Sequence, residues 1–85
     1  MHYVYAIQSQ IDGRVYVGMS EDSTRRLVEH NSGHTRSTKA YIPWKIVYTK
    51  CCADRISARK EEKRLKSGYG KEFLKKYIID TFAPR

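Results

Sequence analysis

Alternating aromatic and branched side chains open the chain and predict a β-hairpin. Residues 2–8 and 14–19 are rich in the residue types that favour strands. An Asp-Gly dipeptide lies between them, and it is typical of a tight turn in which the glycine takes a positive φ. Because strand side chains alternate between faces, Tyr3 and Tyr5 are expected on one face of the hairpin and Val4 on the other.

Capping residues and changes of period predict the next elements. Candidate helix caps at 20–23 precede a helix that is expected to run to about Asn31. The polar stretch 34–41 has no clean period and indicates an ordered loop or a flap that faces substrate. Branched and aromatic residues at 44–49, directly after Pro43, predict a third strand.

Two helices are predicted to complete the chain. Charged helix-forming residues dominate from Ala53 to about Lys66. Apolar residues recur at helical spacing from Lys71 to about Ile79, and the stretch Gly68 to Gly70 is expected to separate the two helices. The element order is therefore β-β-α-β-α-α, which defines an α/β protein, and the length of 85 residues predicts one domain, 1–85, with a single small core.

The composition narrows the class of protein. No apolar run approaches the roughly 18 residues that would span a bilayer, and the N-terminus lacks the layout of a secretory signal. We therefore expect a soluble, cytoplasmic protein. Cys51 and Cys52 are adjacent, so a mutual disulfide would be strained and would close almost no loop, and free thiols are expected.

The charge of the chain indicates a class of partner. Lys and Arg total 17 against 9 acidic residues, which gives a formal net charge of +8. Such an excess favours polyanions through counterion release, and nucleic acid is the first candidate. No predicted helix combines a broad apolar face with a basic one, so a membrane surface is not expected as the partner.

One predicted helix carries two side chains suited to chemistry on a phosphate. Arg26 and His30 are four residues apart, so they share one face of that helix. Arg25 and Glu29 have the same spacing and predict a surface ion pair. The alternative interpretation of His30 is a charge that compensates the helix dipole, and tyrosines in a small sheet often serve packing alone.

Five positions follow one another in an informative order. They are Tyr5 in Tyr3-Val4-Tyr5, Tyr16 in Tyr16-Val17-Gly18, Arg26, His30 and Glu62. This order, from residue 2 to about residue 67, resembles the GIY-YIG endonuclease superfamily, and in particular its small, stand-alone, UPF0213-like members. The loop Ser37-Thr38-Lys39 and the pair Pro43-Trp44 also resemble the short members. The resemblance implies a three-stranded antiparallel sheet flanked by helices, in agreement with the predicted elements.

The resemblance also implies an activity, the metal-dependent hydrolysis of phosphodiester bonds in DNA. We expect a structure-selective or weakly specific endonuclease that serves DNA repair, recombination or processing. Glu62 would be the one protein carboxylate on a Mg²⁺ or Mn²⁺ ion that is weakly held without substrate. Tyr5 would take the proton of the attacking water, with His30 as its relay. To act as a base at pH 7, Tyr5 needs a pKa that falls from about 10 to near 7, and Arg26 and the metal are the available causes.

Other residues would bind the substrate. By the same resemblance, Arg26 would neutralise the scissile phosphate and Tyr16 would position the water or the phosphate. Further contacts with backbone phosphates are expected from three residues of the polar loop, Arg36, Ser37 and Lys39. His2 and His34 are expected to be structural or surface residues.

Two adjacent carboxylates compete for the metal position. Glu61 points about 100° around the helix from Glu62, so spacing alone does not choose between them, although the family pattern favours Glu62. Both also fit ion pairs on a solvated helix. The chain departs from the family in two ways: Tyr3 stands where the first motif has glycine, and no asparagine follows Glu62, whereas larger relatives use one.

Two further functions fit the same pattern. One is a non-catalytic nucleic-acid-binding module built on the same scaffold. The other is a subunit that delivers this domain to a protein partner. Such a partner would supply the specificity that larger relatives take from an attached domain, which this chain is expected to lack.

Overall fold

The computed structural model describes residues 1–82, which form a three-stranded antiparallel sheet with helices on both faces. The strands are β1 (His2–Ser9), β2 (Val15–Ser20) and β3 (Trp44–Cys52), in the spatial order β2-β1-β3. The helices are α1 (Ser23–Asn31), α2 (Arg55–Lys66) and α3 (Gly68–Phe82), and a short 3₁₀ turn, Lys39–Tyr41, precedes β3. The predicted α/β class, antiparallel sheet and order β-β-α-β-α-α are confirmed.

The first two strands form the predicted hairpin. β1 and β2 pair from Tyr3 opposite Ser20 to Gln8 opposite Val15. In the turn, Gly13 has a φ of +82°, a left-handed conformation that a side chain would strain. Because β1 is paired on both sides, it is the rigid centre of the sheet.

The third strand is longer than the predicted range 44–49. Its pairing with β1 continues to His2 opposite Cys52, so the strand gains three residues at its C-terminal end. A register shift between Ala6 and Ile7 leaves Val47 as the extra residue of a bulge. Long-range pairing, rather than local propensity, therefore sets the length of β3.

The sheet separates two apolar clusters. On one face, strand residues including Val4 pack against the buried side of α2 and α3, through Ala58, Leu65 and Leu74. On the other face, Tyr5, Ile7 and Trp44 are buried, with Leu27 of α1 packed against them. The alternation predicted for β1 is confirmed, because the neighbours Val4 and Tyr5 belong to opposite clusters.

Aspartates begin the first two helices. The carboxylate of Asp22 accepts a hydrogen bond from the backbone N–H of Arg25 at 3.0 Å, within the predicted cap range 20–23. The carboxylate of Asp54 accepts one from the backbone N–H of Ser57 at 2.7 Å, so α2 starts two residues after the predicted Ala53.

A break between the last two helices is present, but it lies at Ser67 and not at the predicted Gly68 to Gly70. α3 begins at Gly68, and only Ser67 separates it from α2. Gly70 lies within α3 and serves close packing, because a Cβ there would collide with the carbonyl oxygen of Arg64 and lie 2.5 Å from the Cα of Leu65. The glycine therefore lets two consecutive helices approach, whereas the sequence indicated a helix breaker.

The two cysteines are unpaired, as expected: Cys51 is exposed and Cys52 is buried. Within residues 1–82, no helix has both the length and the apolar character needed to cross a bilayer.

Candidate active site

The hydroxyl of Tyr5 lies at the centre of a buried polar cluster. Tyr5 is 1% exposed, and its hydroxyl oxygen is 3.0 Å from Nε2 of His30. The strand β1 fixes the position of the tyrosine, and α1 brings the histidine across the same face of the sheet. The two rings meet edge to face, with centroids 6.0 Å apart.

His30 is bonded at both ring nitrogens. It has no exposed surface, and its Nδ1 lies 2.8 Å from the hydroxyl oxygen of Thr38. The hydroxyl of Thr38 can donate to the carbonyl of Thr35 at 3.3 Å. We therefore assign the ring hydrogen of His30 to Nδ1, with the hydroxyl oxygen of Thr38 as its acceptor. Nε2 is then the unprotonated nitrogen and accepts from the hydroxyl of Tyr5. The chain Tyr5–His30–Thr38 thus has one consistent direction of donation.

A second set of hydrogen bonds holds Thr38 and the end of α1 in place. The indole Nε1 of Trp44 donates to the carbonyl of Thr38 at 2.8 Å. The side-chain amide of Asn31 donates to the carbonyl of Trp44 at 2.9 Å and accepts from its backbone N–H at 2.7 Å. Because Asn31 follows His30 directly, these bonds close a ring that fixes the imidazole relative to β3.

The sequence did not identify Thr38, Asn31 or Trp44 as parts of the site. Thr38 has no exposed surface, although it lies in the polar stretch 34–41, which was predicted to be an ordered loop or a flap that faces substrate. The available signal was the resemblance of Ser37-Thr38-Lys39 and Pro43-Trp44 to short family members, which pointed to the family and not to a role.

The motif Tyr16-Val17-Gly18 borders the phenol of Tyr5. Tyr16 is half-buried, and its ring meets that of His30 edge to face at a centroid distance of 5.0 Å. Gly18 has no room for a side chain, because a Cβ there would lie 2.6 Å from the hydroxyl oxygen of Tyr5. The two predicted tyrosines therefore converge on one histidine, with the glycine providing the space.

Arg26 acts on the same phenol. Its guanidinium favours the ionised form of Tyr5, but burial has the larger effect, and the pKa of Tyr5 is raised above its usual value of 10.0. The shift of the pKa is therefore opposite in direction to the one that a base acting at pH 7 needs. A buried phenol gains too little from one guanidinium to offset the loss of solvation, so in the protein alone Tyr5 is a neutral hydroxyl.

Arg26 is also less free than the sequence indicated. Its Nη1 donates to a carboxylate oxygen of Glu29 at 3.3 Å, while the predicted pair between Arg25 and Glu29 is longer, at 3.9 Å. One carboxylate therefore faces both arginines. Burial, followed by the charge of Arg26, lowers the pKa of His30, so the imidazole is neutral at pH 7. A neutral His30 does not supply the positive charge that compensation of the helix dipole would need.

The adjacent glutamates of α2 have different surroundings. Glu61 is 7% exposed, and its carboxylate accepts hydrogen bonds from Lys50 at 2.7 Å and from Arg64. Burial alone would raise the pKa of Glu61, but these two cations outweigh it and hold the pKa below its ordinary value. Glu62 is half-buried and lies 3.5 Å from the ammonium of Lys66. Both oxygens of Glu61 are engaged, whereas only one oxygen of Glu62 faces a cation within residues 1–82.

Comparison with known proteins identifies the group to which this geometry belongs. Residues 1–78 match the model of the GIY-YIG catalytic domain. The chain belongs to the GIY-YIG family. A UPF0213 protein of Bacillus pumilus is 36% identical over 67 residues, which cover 78% of this chain and 67% of the relative. A UPF0213 protein of Streptococcus pneumoniae is 37% identical over 76 residues, which cover 85% of this chain and 76% of the relative.

A solved structure extends the same likeness to three dimensions. The solution NMR structure of a UPF0213 protein from Bacillus halodurans matches with a TM-score of 0.55 and 27% identity, covering 99% of this chain and 98% of that one. The resemblance to small UPF0213-like members of the GIY-YIG family is therefore confirmed. The family is one of endonucleases, and its nucleases generally use divalent metals.

Glu62 is better suited than Glu61 to serve as the metal ligand of a GIY-YIG nuclease. Among residues 1–82, one oxygen of Glu62 faces no cation, whereas both oxygens of Glu61 do. In the part of the chain that the structure describes, no group of three or more His, Cys, Asp or Glu side chains could hold a metal ion. A metal at Glu62 would therefore take its other ligands from water and substrate phosphate. Tyr5 and His30 are hydrogen-bonded to each other, and the guanidinium of Arg26 acts on the phenol of Tyr5, so the three residues form one cluster. No hydrogen bond or ion pair among residues 1–82 links Glu62 to them.

The remaining predicted residues lie outside this cluster. Arg36, Ser37 and Lys39 are exposed on either side of the buried Thr38, so the loop turns one side chain inward and three outward. His34 is exposed, and Nε2 of His2 lies 3.6 Å from a carboxylate oxygen of Glu21.

Proposed function

We propose that this protein is a metal-dependent endonuclease that hydrolyses phosphodiester bonds in DNA. The observation that carries the proposal is the directed hydrogen-bond chain Tyr5–His30–Thr38, in a member of an endonuclease family. A buried phenol between a neutral imidazole and a guanidinium is typical of a site built for proton transfer.

In the proposed reaction, Tyr5 is a proton relay and not a standing phenolate. As water attacks the phosphorus, the P–O bond to the leaving nucleotide breaks and the leaving oxygen takes a proton from solvent. In the same step the oxygen of Tyr5 takes a proton from the attacking water, and its own hydroxyl hydrogen passes to Nε2 of His30, 3.0 Å away. Thr38 supports the step by holding the other ring hydrogen on Nδ1. The proton returns through Tyr5 to solvent when the product leaves. This route avoids the phenolate that burial disfavours.

The other site residues would bind the phosphate. Arg26 exchanges its contact with Glu29 for the scissile phosphate, and Tyr16 positions the water or the phosphate through its hydroxyl. Glu62 would hold Mg²⁺ or Mn²⁺, which supplies neutralisation of the phosphate charge when it is bound. The outward loop residues contact neighbouring backbone phosphates: Arg36, Ser37 and Lys39.

The alternative is a nucleic-acid-binding module without efficient chemistry. The lack of an asparagine after Glu62 favours this alternative. Under either function we propose that the chain works as a single domain in the cytoplasm, with DNA as its main partner. A protein partner would supply target specificity.

The deciding experiment compares wild type with Tyr5→Phe and Glu62→Gln on nicked, flapped, branched and linear DNA, with Mg²⁺, Mn²⁺ or EDTA. We expect metal-dependent cleavage by wild type, at least about 100-fold slower cleavage by both variants, and unchanged DNA binding. Equal residual cleavage by all three proteins, with binding retained, would instead establish the binding module.

A further inference from the structure

Four cations cluster on the solvent-facing side of α2 and do not belong to the polar cluster of Tyr5 and His30. Arg55, Arg59, Lys60 and Lys63 are all exposed, and together with Ile56 they line a shallow depression. Among residues 1–82 none of the four has an ion-pair partner. We call this set the α2 basic face.

Within residues 1–82, no carboxylate of the same helix or of its cap pairs with these four cations. Asp54 caps the helix, Glu61 pairs with Lys50 and Arg64, and Glu62 faces Lys66. Solvated helices with dense charge usually alternate acids and bases at spacings of three and four residues, which pairs them along the surface. On α2 the acids lie on the buried side and at its border, so the outer side presents only positive charge.

The spacing of the cations arranges them in a row along α2. Arg55, Arg59 and Lys63 are separated by four residues each, so they follow one side of the helix over roughly 12 Å at 1.5 Å per residue. Lys60 widens the row, and Ile56, which is 71% exposed, places an apolar surface inside it. Such a row matches a polyanion with regularly spaced charges, and arginine can grip each phosphate with two donors.

The row also adjoins the proposed metal ligand. Arg59 precedes Glu62 by three residues, which places both on one side of α2, and Glu62 lies between the basic face and the buried face that carries Ala58. A DNA backbone bound along this row of cations therefore passes next to the carboxylate of Glu62.

We propose that the α2 basic face binds the backbone phosphates of duplex DNA next to the bond that is cut at Glu62. This inference rests on the proposed nuclease function and adds a binding surface to it, separate from the loop contacts of Arg36, Ser37 and Lys39. Contacts of this kind are independent of base sequence, so the surface sets affinity and orientation and leaves target choice to other parts.

The test uses the full chain, a short fluorescein-labelled DNA duplex in EDTA, and fluorescence anisotropy across a series of KCl concentrations. The variant R59Q/K63Q removes two cations of the row, and K75Q/K76Q removes two exposed cations of α3 as a matched control. We expect the slope of log affinity against log salt to become shallower by roughly 2 in R59Q/K63Q and to stay unchanged in the control. Circular dichroism spectra verify that both variants are folded.

Two results of the salt series would overturn the inference: an unchanged slope in R59Q/K63Q, or an equal change of slope in the control. A third would be that R59Q/K63Q loses binding to phosphatidylserine vesicles while its binding to DNA equals that of wild type. The failure of this inference differs from the failure of the nuclease function, because the measurement contains no metal and no cleavage. Repeating it in the Glu62→Gln protein separates the two: the slope difference persists there whether or not wild type cuts DNA.

Discussion

Gly18 and Tyr5 face each other across the hairpin, and the absence of a side chain on one makes room for the hydroxyl of the other. The two residues are direct partners in the pairing of β2 with β1. A Cβ at position 18 would lie 2.8 Å from Cζ of Tyr5, in addition to its contact with the hydroxyl oxygen. Position 18 therefore needs a glycine because a side chain there would displace the phenol of Tyr5, and not because the backbone forms a turn.

Replacement of this glycine should harm both folding and activity. In Gly18→Ala we expect the free energy of unfolding to fall by about 1–3 kcal/mol from overpacking. Displacement of the phenol by about 1 Å should slow cleavage on the order of 100-fold. Urea denaturation and a cleavage assay measure the two effects. Gly68→Ala is the matched control, because no atom lies within 4 Å of a Cβ there, and its stability should equal or exceed wild type.

Thr38 should determine which nitrogen of His30 carries the hydrogen. In Thr38→Val the ring loses its partner at Nδ1, which should cost about 1–3 kcal/mol of stability and leave a mixture of tautomers. Nitrogen-15 NMR of the imidazole distinguishes the tautomers directly. Thr38→Ser keeps the hydroxyl and should retain the wild-type spectrum. Identical His30 spectra in the valine variant and wild type would contradict the proposed direction of donation.

His30 should make the protein less stable in mild acid. Its folded-state pKa lies below its unfolded value of about 6.5, so its stabilising contribution is complete above that pH and is lost as the pH falls toward the folded-state pKa. The free energy of unfolding of wild type should decline between pH 7 and 5 by up to about 1.4 kcal/mol per pH unit from this residue. His30→Gln should lack that part of the decline. His2 and His34 are present in both proteins, so the difference between the two stability curves reports His30.

Glu61 and Glu62 should respond oppositely to the same substitution. Glu61→Gln weakens the bonds to Lys50 and Arg64 at a buried position, and we expect a loss of about 1–3 kcal/mol with cleavage retained. Glu62→Gln should change stability by less than about 1 kcal/mol, because its pair with Lys66 is long and partly solvated, yet it should abolish cleavage. Thermal unfolding and cleavage rates on one set of proteins test both statements. Loss of cleavage in Glu61→Gln with wild-type stability would reverse the assignment.

The elements that sequence predicted well are those fixed by local chemistry. The Asp-Gly turn and the cap at Asp22 act within a few residues, and the α/β order follows from such signals. Gly70 was misread because glycine marks both helix ends and close helix contacts, and only the position of Leu65 decides between them. The full length of β3 was also missed, since its last residues are held by pairing with β1.

In the candidate site, the order of the residues along the chain predicted which side chains come together, but it did not predict their hydrogen-bond partners. Tyr5, Tyr16, Arg26 and His30 could be grouped by spacing and resemblance, and they do converge. Thr38 could not, because its role depends on a loop that folds back onto the helix eight residues earlier, and loops have no period to read. The direction in which the pKa of Tyr5 shifts could not be predicted from the sequence either. Burial determines that direction, and no sequence motif reports how deeply a side chain is buried.

The bond from Trp44 to the carbonyl of Thr38 gives the protein an optical reporter of its own. Trp44 is the only tryptophan in the chain, is 4% exposed, and is attached to the loop residue that orients His30. A shift of that loop, on binding of DNA or metal, would change the surroundings of the indole and hence its emission. Intrinsic fluorescence can therefore follow the assembly of the site in unlabelled protein, with Thr38→Val as the reference for a loosened loop.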